Sequence, residues 1–140
     1  MYKIGIIDTI NSKGIDLLES NENFSFEIIT DLSRENLLLN LPKFDGVTLR
    51  RGKLDSGILE KCKKLKVIAR HGVGYDNVDT SFLKKNDINL LVTNDSTSTS
   101  PSEHIMFMIL NIYKGVNMFD SMVRKGNFSE AIHLKIDDNF

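Results

Sequence analysis

With 140 residues, 41% of them hydrophobic and 26% charged, the chain has the make-up of an ordinary soluble globular protein, long enough to bury about two-thirds of its unfolded surface. A net charge of -1 and a pI near 6.3 give no electrostatic basis for a nucleic acid or an anionic membrane as partner. The lone cysteine, Cys62, excludes an internal disulfide and a multi-cysteine metal site.

Set in Lys61-Cys62-Lys63-Lys64, that cysteine is expected to be a helix residue near a basic surface, with a thiol pKa lowered by the lysines as the only route to redox chemistry. The N-terminal stretch from Met1 to Asp8 is too short and too early-charged for a secretory leader, and the longest apolar run, Ile105 to Leu110, is too short to span a bilayer. A reduced, cytoplasmic protein is the expectation.

Ile4-Gly5-Ile6-Ile7 is a short apolar run ending at Asp8-Thr9, as in a buried strand. Asn11-Ser12 offer an N-cap for a helix whose apolar face is Ile15, Leu17 and Leu18. Phe24 to Ile29 is a second strand. Asp31 or Ser33 caps a helix through Leu37, Leu38 and Leu39, which Pro42 ends. Phe44 to Leu49 is a third strand, Asp55 to Cys62 a helix, and Leu65 to Ala69 a fourth strand. Asp79 caps a short helix with Phe82 and Leu83, and Ile88 to Val92 is a fifth strand. Strands alternating with helices through short links make a parallel sheet with helices on both faces. The class is α/β, and five such units fit a flavodoxin-like strand order, 2-1-3-4-5.

In such sheets ligands gather at the carboxyl ends of the strands. Those ends are Asp8-Thr9, Arg50-Arg51-Gly52, Arg70-His71-Gly72-Val73-Gly74 and Thr93-Asn94. Glycines in the Gly72-Val73-Gly74 turn let backbone N–H groups approach an anion closely, although a tight turn alone would also call for them. The turn is not a dinucleotide fingerprint, because Asn77 stands where the third glycine would be.

The polar stretch Ser96-Thr97-Ser98-Thr99-Ser100 is the only linker-like composition. Ser100-Pro101-Ser102-Glu103 then reads as a capping box with proline at the first helical position, opening one long helix from Pro101 to Lys125. Arg124 and Lys125 fall in its last turn and Gly126 just past it. Its first half is apolar on nearly every side and needs covering all round.

The run Leu65-Lys66-Val67-Ile68-Ala69-Arg70-His71-Gly72-Val73-Gly74-Tyr75-Asp76-Asn77-Val78-Asp79 resembles the signature of the D-isomer-specific 2-hydroxyacid dehydrogenases, of the phosphoglycerate dehydrogenase kind. Asp45 to Arg50 upstream, Asn89 to Asn94, and Ser102-Glu103-His104 opening an apolar helix are similar in the same order, so the resemblance covers essentially the whole chain.

It implies that residues 1–99 are the substrate-binding domain of an NAD- or NADP-dependent oxidoreductase acting on a small 2-hydroxy or 2-keto acid. Residues 100–126 would be an interdomain and dimerisation helix, pairing two copies through 101–125. Residues 127–140 would lead to a nucleotide-binding domain absent from this sequence. The amides of Val73 and Gly74 would hold the substrate carboxylate beside the nicotinamide, with Gly72, His71, Arg50 and Arg51 bordering it. His71 is expected to shape the pocket rather than move a proton. His104 is read as packing, His133 carries no signal, and Asp76, Asn77 and Asp79 are read as structural.

Two departures stand out against the family pattern. Arg51 occupies a position where serine is usual, in a loop a residue short, and Ser96 stands where the hinge loop usually has proline, in a loop about two residues shorter. The family's catalytic arginine, glutamate and histidine and its Gly-x-Gly-x-x-Gly turn have no match here. The 140 residues are therefore expected to be catalytically silent and to bind no cofactor on their own. An anion-binding or oligomerisation module derived from the family is the alternative. A phosphoacceptor receiver domain shares the strand order but would need an acidic pair after the first strand and an aspartate after the third, where Arg50-Arg51 stand.

Overall fold

The computed structural model describes residues 1–93, 98–127 and Ser129, in two compact units divided between Ser96 and Thr97. The first unit is a sheet of five parallel strands: β1 (Tyr2–Ile7), β2 (Phe24–Ile29), β3 (Gly46–Leu49), β4 (Val67–Arg70) and β5 (Asn89–Val92), in the order β2-β1-β3-β4-β5. Between them lie α1 (Ser12–Glu19), α2 (Arg34–Asn40) with a 3-10 turn over Leu41–Lys43, α3 (Ser56–Leu59) and α4 (Thr80–Lys85). The strand order is the expected one.

Four helix starts are capped as their sequences suggest. The side chains of Asn11, Ser33, Asp55 and Asp79 accept hydrogen bonds from the backbone N–H groups of Lys13, Asn36, Ile58 and Phe82. Asp31 caps its own turn instead, accepting from the N–H of Ser33 at 2.9 Å.

Alternation along the strands decides where the core sits. Ile7, Val47, Leu49 and Ile68 pack with Leu37, Leu41, Phe44, Ile58, Leu59 and Leu83 in one cluster. Ile6 is fully buried but stands outside that cluster, in register with Thr48 and then Ala69 and Leu91 on the other face, where Leu91 stays exposed. Phe44 lies just before β3 rather than in it, and its ring fills the space above Gly5: a Cβ on Gly5 would come within 2.8 Å of the ring. β4 and β5 likewise begin later than their apolar runs, because Leu65 and Ile88 serve as core plugs ahead of the ladder.

Cys62 lies past the end of α3, buried, with its Sγ 3.4 Å from the carbonyl oxygen of Ile58. Burial pushes its thiol up to about 11, so the lysines around it do not make it reactive.

The second unit departs from the expected single helix. It holds α5 (Thr99–Tyr113) and α6 (Val116–Arg124), separated by Lys114 and a left-handed Gly115 at φ 59°. Gly115 donates its N–H to Ile112 O and closes α5 as a C-terminal glycine does. The capping box does not form either. α5 starts at Thr99, so Ser100 is already helical, while Pro101 remains in the first turn where its missing N–H has no cost. The far end is as expected, with Arg124 in the last turn of α6, paired to Asp120 at 2.8 Å, and a left-handed Gly126 beyond it. Ile105, Phe107, Ile109, Ile112 and Val116 are all exposed. No helix among the described residues is long and apolar enough to cross a membrane.

Candidate functional site

The carboxyl ends of β1, β3, β4 and β5 bring the predicted residues of the first unit to one edge of the sheet. Arg50 donates its backbone N–H to Ile7 O at 3.4 Å, and His71 donates its own to Leu49 O at 2.9 Å. Arg50 therefore sits between the end of β1 and the Gly72-Val73-Gly74 turn.

At the end of β1 stands Asp8, which the linear pattern put at a ligand-bearing strand end without a partner or a role. It is 6% exposed, the only buried charged residue among the described ones, and its backbone is left-handed at φ 72°. Arg51 grips it from both sides, with Nε 2.6 Å from Oδ2 and Nη2 3.0 Å from Oδ1. Arg50 Nη1 lies 3.7 Å from the same Oδ2. The hydrogen bonds from Arg51 hold the Asp8 carboxyl below its ordinary range, against the opposing effect of burial, and raise the Arg51 guanidinium above its own. The available signal was an isolated acid directly after the first apolar strand, with two arginines at the end of a strand that pairs beside it.

The glycine turn is built on Arg70, the last residue of β4. Its guanidinium folds back, Nη1 donating to Leu49 O at 3.3 Å and to the carbonyl oxygen of His71. Gly72 has φ 139°, and a Cβ there would come within 3.1 Å of Arg70 Nη1. Its N–H is already used by Arg70 O at 3.0 Å and Thr93 Oγ1 at 2.9 Å. Gly72 thus shapes the turn rather than presenting a donor. The N–H groups of Val73 and Gly74 donate to no acceptor among the described residues, and Val73 is 51% exposed. A Cβ on Gly74 would meet only Asp76 Oδ1, at 3.4 Å, so little stands where a side chain would be.

The two loops bearing these groups are tied together. Leu54 N–H donates to Asn77 O at 2.9 Å, Asp79 N–H to Leu54 O at 3.1 Å, and Asn77 Nδ2 to Gly52 O at 2.7 Å. Asn77 and Asp79 therefore act on backbone, as read from sequence. His71 is exposed and lines a cleft of about 270 Å³ with Ile10, Asn11, Thr48, Ala69 and Thr93. Asn94 and Ser96 of the hinge loop and His133 of the tail lie outside the described residues. Among the described residues no group of three or more His, Cys, Asp or Glu could hold a metal ion. What this edge of the sheet offers is two free amides on the loop after β4 and an exposed arginine on the loop after β3, donor types suited to a carboxylate.

Comparison with known proteins gives a family and a fold. Residues 4–131 match a family model described as the catalytic domain of D-isomer specific 2-hydroxyacid dehydrogenases. A D-3-phosphoglycerate dehydrogenase of Archaeoglobus fulgidus is 26% identical over 96% of this chain, which spans 26% of that relative. The PH0520 protein from Pyrococcus horikoshii superimposes with a TM-score of 0.82 at 24% identity, over 98% of this chain and 42% of that one. A 3-phosphoglycerate dehydrogenase of Entamoeba histolytica with bound NAD+ gives 0.69 at 24% identity, over 81% and 39%. The chain thus spans about a quarter of the length of the first of these relatives.

Proposed function

Since the chain belongs to the D-isomer specific 2-hydroxyacid dehydrogenase family, we propose that it forms the substrate side of an NAD- or NADP-dependent oxidoreductase acting on the CH–OH group of a small 2-hydroxy acid. The observation that carries this reading is the pair of unclaimed amides on Val73 and Gly74 beside Arg50. The amides and the guanidinium would hold the substrate carboxylate and so orient its C2 hydroxyl or keto group, with Arg70 and Thr93 keeping the turn in shape and His71 walling the pocket. A nicotinamide bound there would supply the hydride acceptor.

The residues present fit only the nicotinamide end of such a cofactor. Little crowds the side-chain position of Gly74, but none of the 140 residues form a Gly-x-Gly-x-x-Gly turn for the pyrophosphate. NAD+ in the Entamoeba histolytica relative supports this choice of cofactor. In this reading residues 1–99 are the substrate domain, and 100–126 link and pair two copies through the exposed apolar faces of α5 and α6. A cytoplasmic setting fits the single buried thiol.

By itself the 140-residue polypeptide is then silent yet keeps a weak anion site, with millimolar binding on the order of 4 kcal/mol. NADH oxidation with hydroxypyruvate should show no turnover above background. Titration with a 2-hydroxy acid, followed by amide NMR, should shift Val73 and Gly74 first. Turnover would refute the silence, and movement elsewhere without those two amides would refute the site.

A further inference from the structure

The two arginines at the end of β3 are not equivalent, and the difference bears on ligand charge. Arg51 spends Nε and Nη2 on the two oxygens of Asp8, at 2.6 and 3.0 Å, so the pair is neutral as a unit. Arg50 shares the same carboxylate only at 3.7 Å and keeps its side chain 48% exposed. Beside the glycine turn stand Arg70, folded onto Leu49 O and His71 O, and Asp76, with Oδ1 3.4 Å from where a Gly74 Cβ would be, while Lys53 is exposed further along the loop after Arg51.

We propose that Asp8 is a specificity-determining residue: by neutralising Arg51 it sets this edge for a monoanionic 2-hydroxy acid and against one carrying a second carboxylate or a phosphate. This rests on the carboxylate reading of Val73, Gly74 and Arg50. Without Asp8, a second anionic group would find Arg51 unpaired beside Arg50. With it, that group meets a neutral pair backed by a buried negative charge. Asp8 is suited to the role because its left-handed backbone and near-complete burial hold the carboxylate in place, and because Arg51 keeps it ionised.

The probes are glycolate and tartronate, 2-hydroxy acids of one and two negative charges, titrated into the 140-residue chain at equal ionic strength with the Val73 and Gly74 amides as the readout. The native chain should bind tartronate no more than about twofold tighter than glycolate. Asp8→Asn keeps the side-chain shape and tolerates a left-handed backbone. It removes one buried charge, whose effect scales with ligand charge, so glycolate should tighten about threefold and tartronate about tenfold. Arg51→Gln should do the reverse, weakening tartronate more than glycolate. The double variant D8N/R51Q, again a neutral pair, should return the ratio to that of the native chain. A merely structural role for Asp8 would change both ligands by one factor, and that result would overturn the proposal, as would native binding of tartronate ten times tighter than glycolate. If neither ligand moves Val73 and Gly74 in the native chain, the carboxylate reading itself falls and takes the proposal with it. If both move them and the variants leave the ratio alone, only the role of Asp8 falls.

Discussion

Phe44 and Phe107 show how differently the two units treat the same side chain. Phe44 is 0% exposed, enclosed between β1 and the α2 side of the sheet with Gly5 making room for its ring. Phe107, on α5, is 59% exposed, as are its apolar neighbours to similar degrees. A sheet strand gains its partners from its own unit, because each parallel neighbour and crossover helix is supplied by the next stretch of chain. A helix that is apolar on nearly every side has no such local supply. The first unit encloses a core of its own, though Leu91 stays exposed on its other face, and the second has no buried residue among its described helices.

Truncation at the two phenylalanines should show the largest effect. Phe44→Ala removes a fully buried ring and is expected to lower stability by roughly 3–5 kcal/mol in urea unfolding. Phe107→Ala should cost under about 0.5 kcal/mol in a dilute monomer. Its consequence should appear in sedimentation, as weaker self-association of the chain. Equal losses of stability would mean that α5 is packed within a single chain.

A smaller contrast tests the caps. Asp79 accepts from the N–H of Phe82 at 3.0 Å, and Asp79→Ala should cost about 1 kcal/mol. Ser100→Ala, at the residue that the capping-box pattern names, should be neutral or slightly stabilising, because Ser100 is inside α5 and alanine is the better helix former. A loss at Ser100 comparable to that at Asp79 would restore the capping box and the later helix start.

The smallest effect appears only in acid. Asp8, Glu27, Asp31 and Asp55 are held below their ordinary ranges, by Arg51, by Lys3, by the Ser33 N–H and by Arg34 in turn, and all four belong to the sheet unit. A carboxyl whose folded pKa lies below its unfolded value, near 4, stabilises the fold above that value and loses the contribution as pH falls through the folded one. Amide signals from residues 2–92 should therefore lose urea resistance below about pH 4, while those from 99–124 change little. Parallel loss in both units would mean that they unfold as one.

The strand order, the four caps, the glycine turn and the backbone duties of Asn77 and Asp79 were legible in the linear sequence. The caps depend on residues close together in the chain and the strands on their apolar runs, while Asn77 was legible only as a backbone-bonding residue type, its partner Gly52 lying 25 positions away. The break at Gly115 was not legible, because an apolar stripe continues across it and only the left-handed backbone marks the end of α5. The facing of Ile6 against Ile7 was hidden inside one uniform apolar run. The Asp8–Arg51 pair joins residues 43 positions apart, and nothing local selects Arg51 over Arg50 as the partner. The register of β1 against β3 places Ile7 opposite Leu49 and so brings Asp8 and both arginines together at the edge of the sheet, where the left-handed backbone of Asp8 ends the strand alternation. Composition and pattern determined which charges are present, and only the pairing of the strands decided which of them cancel.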